Sequence, residues 1–138
     1  MFRTLAFAAL ALFGASLVPP LAAAAQDSPI PEAEWRSLTT GKTVYYYING
    51  TYFGREYYWP GQDTVTFQHA SGVCANARWT YSDGRYCFFF DKAHCFAHVR
   101  RDGEIIIIPQ NSEPGSEQEQ LVKSITPTSF TCTPGLTS

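Results

Sequence analysis

Residues 74–95, CANARWTYSDGRYCFFFDKAHC, decide how the rest of the chain must be read, because they hold three of its four cysteines and two turn signals. Ser82-Asp83-Gly84 marks the first turn: both central residues of a type I′ hairpin need positive φ, and Asp-Gly supplies them readily. A second turn is centred near Asp91-Lys92-Ala93. The stretch therefore reads as three antiparallel strands. With Asp91 at the middle of the second turn, Cys87 falls opposite Cys95 on one face of the ladder, close enough for a cross-strand disulfide. Four cysteines in an exported chain read as two bridges, and with this one set by register Cys74 and Cys132 remain for each other. A zinc ribbon would need cysteines two residues apart, and no pair has that spacing.

Upstream, Thr43 to Trp59 (TVYYYINGTYFGREYYW) carries Asn49-Gly50 between two β-prone runs, so Val44–Ile48 and Thr51–Trp59 are expected to pair directly. Asn49-Gly50-Thr51 also matches a glycosylation sequon, but the turn accounts for it without a sugar. Pro60-Gly61-Gln62-Asp63 turns the chain into Thr64–His69, and Ala70-Ser71-Gly72 leads into the central three strands. Downstream, Arg101-Asp102-Gly103 closes a further hairpin. Glu104–Pro109 (EIIIIP) barely alternates, which predicts a strand covered on both faces. Asn111–Gln120 is a polar, acidic break, after which Leu121–Ile125 returns as a final strand. Short strands joined by tight turns make an all-β antiparallel meander, which must curl into a small barrel or a strongly bent sheet to bury one face.

The beginning of the chain is of another kind. Arg3, the apolar run Thr4–Val18 and the small residues Ala23-Ala24-Ala25 form an export leader over residues 1–25, expected to be cleaved before Gln26. Gly14, Ser16 and Pro19-Pro20 interrupt the run, which argues against a membrane anchor, since a span needs about 20 mostly apolar residues. Residues 26–37 form an N-terminal arm. Its first part, Gln26–Pro31, is expected to be mobile, and Glu32–Leu38 (EAEWRSL) to make a short helical segment that plugs one end of the sheet, with Trp35 and Leu38 on one face. Residues 38–132 are expected as a single β domain and residues 133–138 as a frayed tail. A domain this small gains from covalent staples.

The order Leu38-Thr39-x-Gly41-x-Thr43, then Gly54-Arg55-Glu56-Tyr57-Tyr58, Trp79 six residues into a strand, Tyr86-Cys87-Phe88 and a cysteine in the next strand resembles a family of small secreted bacterial proteins catalogued as domain of unknown function 995. The likeness runs from about Leu38 to Ile108. The chain departs from the pattern at Arg78, where a glycine is expected, and in the acidic loop after Pro109. The resemblance implies a periplasmic or secreted location and a small β-fold, and carries no activity.

No residue set demands a particular chemistry. No serine sits in a G-x-S-x-G elbow, and the paired cysteines offer no thiolate. His94, Cys95 and His98 resemble a ligand cluster. On a strand, however, the two histidines stand about 13 Å apart with Cys95 facing the other way, so they are read as exposed or half-buried sheet residues. No metal and no cofactor are expected. Without the leader's Arg3 the chain has nine bases against twelve acids, which argues against nucleic acid.

Arg55 and Glu56, neighbours in an aromatic strand, face opposite sides. Whichever turns inward would need a partner and could mark a binding pocket; a rim charge blunting an edge strand is the plainer alternative, and the favoured one. Consecutive aromatics must likewise point to both faces, as packing or as a surface for another molecule. The candidate binding residues are thus Arg55, Glu56, Tyr58, Trp79 and Tyr86, with no catalytic residue assigned. The function expected is a non-enzymatic periplasmic or extracellular binding module for an envelope glycan, a small amphiphile or a protein partner. The alternatives are an inhibitor of a cell-wall hydrolase and a small hydrolase.

Overall fold

Each expected hairpin forms in a computed structural model of the chain, which describes residues 26–132. The leader expected over 1–25 and the frayed tail expected over 133–138 lie outside the described residues. Asn49-Gly50, Asp83-Gly84 and Asp102-Gly103 all adopt positive φ, between 48° and 81°, as type I′ turns require. The elements are β1 (Ser28–Pro29), α1 (Glu32–Thr39), β2 (Thr43–Ile48), β3 (Thr51–Tyr58), β4 (Thr64–His69), β5 (Cys74–Ser82), β6 (Arg85–Phe89), β7 (Ala93–Arg101), β8 (Glu104–Pro109) and β9 (Gln120–Thr126).

From β2 to β9 every strand pairs antiparallel with the next, and β9 returns to β2, so eight strands close into a barrel. The seam between β8 and β9 is short, with only Ile106↔Leu121 and Ile107↔Gln120 in register. Two irregularities curve the sheet: one on β3 between the partners of Tyr46 and Tyr47, one on β9 between the partners of Tyr45 and Tyr46. Val44, Tyr46, Tyr58, Val65, Ala77, Trp79, Tyr86, Phe88 and Ile107 form the interior core. On β8 the residues that alternate with the inward isoleucines are buried as well: Ile106 and Ile108 join Val99 in a second cluster on the outer side, as the unbroken EIIIIP run implies.

One end of the barrel is plugged. Trp35, fully buried on α1, lies with its ring 5.8 Å from Tyr58, 6.0 Å from Tyr86 and 4.3 Å from His98. Glu32 and Glu34 sit in the first turn of α1, where the helix dipole favours them. Glu34 also accepts from Arg100 of β7, and Arg36 bonds Glu32 and Asp63 while lying 4.3 Å over the Trp79 ring. The segment before α1 is not the mobile arm its polar sequence suggested. Ser28 and Pro29 pair with Arg100 and Val99, Ile30 is 2% exposed, and the Tyr86 hydroxyl donates to the Ile30 carbonyl at 2.9 Å. Arg101 adds a fork to Asp27 and to Glu119. One buried isoleucine, with its N–H bonded to the His98 carbonyl and its carbonyl to Tyr86, outweighs the polarity of the neighbouring residues.

The cysteines pair as the register demands. Cys87 and Cys95 are cross-strand partners at disulfide distance, placed outside the barrel because Tyr86 and Phe88 on either side of Cys87 are core. Cys74 meets Cys132, 58 residues away, through a C-terminal segment that straps the outer surface. Thr43 of β2 donates to the Thr128 carbonyl, and Arg55 of β3 stacks 4.0 Å over Phe130 while bonding Gln68 of β4. Closing so long a loop is worth about 4 kcal/mol in the chain-entropy account, against about 2.5 for the eight-residue separation of Cys87 and Cys95.

Candidate functional site

The other end of the barrel is a cup. Its cavity, about 320 Å³, is walled by Tyr46, Phe53, Phe67, Ala75, Phe88, Phe90, Phe96 and Ile107, with Glu56, His94, His98 and Gln120 as its polar lining. Alternation places these residues: Glu56 lies one inward step along β3 from Tyr58 of the plugged end, and Phe88 one step along β6 from Tyr86. The rings meet edge to face or tilted, Phe53 with Phe67 at 5.9 Å, Phe67 with Phe90 at 6.1 Å and Phe88 with Phe96 at 6.0 Å. Gly54 makes room for this wall. A Cβ there would stand 2.7 Å from the Phe67 ring and 2.7 Å from the Gln68 carbonyl oxygen, so only glycine lets β3 and β4 approach under Phe67.

Glu56 is 5% exposed and borders the cavity from its inner side. Both the Tyr58 hydroxyl, at 2.7 Å, and the Tyr46 hydroxyl, at 3.2 Å, donate to the same carboxylate oxygen, Oε1. Among the described residues Oε2 has no hydrogen-bond partner. Burial raises the carboxyl to about 7 despite the two phenols, which favour its charged form. The same burial, beside Glu56, pushes the hydroxyls of Tyr46 and Tyr58 well above the ordinary phenol range, so both stay protonated donors.

His98 faces the cavity from β7 and is the opposite case. Its ring stacks 3.9 Å from Tyr86, nearly parallel, and burial lowers its pKa to about 3, which keeps it neutral. Its Nδ1 and the Trp35 Nε1 are buried and unbonded among the described residues. The expectation that His94 and His98 are exposed or half-buried is corrected for His98, which is 3% exposed because α1 lays Trp35 over it. His94 is half-buried at the rim, with Nε2 3.3 Å from Asp91.

The five candidate binding residues separate in space. Glu56 lines the cavity and Tyr58 supports it from behind. Trp79 and Tyr86 belong to the packed end, 3% and 0% exposed. Arg55 faces outward, held by Gln68 and Phe130. The phenyl wall and His98 are the part sequence reasoning missed. A signal for it existed in the parity of β6 and β7: once Cys87 and Cys95 face outward, Phe88, Phe90, His94, Phe96 and His98 face in.

Chemically, a ring-lined cup with one carboxyl, the neutral imidazole of His98 and His94 at its rim can hold a small apolar body and bond a polar group at its floor. Comparison of the chain with protein-family models, with curated proteins and with solved structures returned no match.

Proposed function

We propose that this protein is an exported binding module that takes a small amphiphilic molecule into the open end of its barrel. The observation that carries this reading is the cavity of about 320 Å³ with an apolar, aromatic wall and the Glu56 carboxyl at its inner border. That size lies in the range of small-molecule sites, and the wall offers ring faces to an apolar body. Of the ligand classes the sequence left open, a small amphiphile fits an interior cup better than a glycan chain or a protein surface does. Periplasmic or secreted location is part of the proposal, supported by the leader in the sequence and by two cysteine pairs suited to an oxidising compartment. The resemblance to the family of unknown function agrees with that location.

Titration with N-phenyl-1-naphthylamine, an uncharged dye that brightens in apolar surroundings, tests the reading. The expected result is saturable, blue-shifted emission at micromolar dye, abolished by Ala75→Trp, which fills the mouth. No saturation, or saturation indifferent to Ala75→Trp, overturns it.

One observation favours a second reading. A carboxyl held near 7 beside a cavity suits general acid or base work, which keeps a small hydrolase in view. Turnover of p-nitrophenyl esters that disappears in Glu56→Gln would support it over simple binding.

A further inference from the structure

We infer that the occupant of the cup is a cationic amine carried on a small aryl or alkyl body, its ammonium group placed against Glu56 Oε2. The inference rests on the binding-module reading and names the ligand class.

Three observations carry it. First, Glu56 is the one acidic residue among those lining the cavity, and no lysine or arginine lines it. Above about pH 7 an anion would be buried beside a carboxylate, and His98, which faces it across the cavity, is kept neutral there by its burial. Second, the two phenols converge on Oε1 and leave Oε2 as the acceptor without a partner. A buried carboxylate oxygen accepts most strongly from a charged N–H donor, and an ammonium group brings three. Third, the cavity that Glu56 borders is walled mainly by aromatic side chains, Tyr46, Phe67 and Phe88 among them. Aromatic faces attract cations and give an anion nothing. An uncharged hydroxyl would use only the free acceptor, and a carbonyl, which cannot donate, not even that; an ammonium group uses all three.

The groups that face Glu56 are Tyr46 on β2, Tyr58 on β3, and His98 and His94 across the cavity on β7. Neither phenol carries a positive charge, burial keeps His98 neutral near neutral pH, and His94 stands at the rim. Because burial holds the carboxyl protonated below about 7, an ammonium ion must displace that proton on entering. Amine binding therefore strengthens with rising pH and levels off above about 7, whereas binding of an uncharged isostere is flat.

The test compares phenethylamine with 2-phenylethanol by isothermal titration calorimetry, at pH 6 and pH 8 and in two buffers of different ionisation enthalpy. The amine is expected to bind roughly tenfold or more tightly than the alcohol at pH 8, and to release a proton at pH 6. In Glu56→Gln, checked for folding by its thermal transition, the two ligands are expected to bind equally. Equal affinities in the parent protein, or an amine preference that survives Glu56→Gln, overturn the inference and leave the binding module standing. If neither compound nor the naphthylamine dye enters the barrel, both readings fall. Should Glu56→Gln not fold, the pH dependence and proton release of the parent protein decide the matter alone.

Discussion

At the α1 end of the barrel Val44, Trp35, Tyr58, Trp79 and Tyr86 meet with no more than 3% exposure; at the other end Phe53, Phe67, Phe90 and Phe96, of similar size, stand only partly buried around a cavity of about 320 Å³. Both ends draw on the same inward positions of the same strands. What differs is the cover. Among the described residues a tryptophan from outside the sheet covers one end and nothing comparable covers the other. Eight strands make an interior just wide enough for side chains to fill it or to hold one small ligand, and this barrel does each at a different end. The buried carboxyl sits between the two, bonded to the packed side through Tyr58 and bordering the cavity.

The contrast predicts a gradient of cost. Trp35→Ala should be the most damaging substitution, destabilising by about 3–5 kcal/mol in urea unfolding, because a fully buried ring is lost and its neighbours cannot close over the gap. A loss below about 1 kcal/mol would mean that α1 is a loose cover and not a plug.

Next in size are two opposed pH dependences. Glu56 rises on folding from 4.5 to about 7, so its contribution is present in full below 4.5 and lost as pH climbs to about 7, a change of about 3 kcal/mol. His98 falls from 6.5 to about 3, so its contribution is present above 6.5 and lost as pH drops to about 3. Between about 4.5 and 6.5 the two slopes, each about 1.4 kcal/mol per pH unit, cancel. Denaturant midpoints should be nearly flat there in the parent protein, rise with pH in Glu56→Gln, and fall with pH in His98→Phe. Identical profiles for the three proteins would show that neither group is buried as described. The smallest effect belongs to the open end: Phe90→Ala should cost about 1 kcal/mol, since its ring is already half free of neighbours.

Much of the architecture was legible because it is written in local chemistry. Asn49-Gly50, Asp83-Gly84 and Asp102-Gly103 fix three turns, and the distance from Cys87 to Cys95 around Asp91 fixes one register. Closure was not legible as more than an alternative to a bent sheet. It depends on two residue pairs between β8 and β9 across a polar loop, and no local pattern encodes so short a seam. The burial of Ile30 and the anchoring of the arm escaped for the same reason: they rest on long-range partners in β6 and β7.

The site was half legible. Arg55 and Glu56 were marked as a pair of which one turns inward, but consecutive aromatics on β2 and β3 erase the alternation that would say which, and a bulge on β3 shifts the parity again. Trp79 and Tyr86 drew attention as large rings with polar tips, a description that fits a core position and a binding position equally. Only the cover over one end separates them, and that cover comes from Trp35.

The most direct test of the two-ended interior is diffraction from crystals held under xenon, which enters apolar cavities and not packed cores. The account predicts xenon among Phe67, Phe88 and Phe96, and none among Trp35, Tyr58 and Trp79. Xenon at the α1 end, or at neither end, would contradict it.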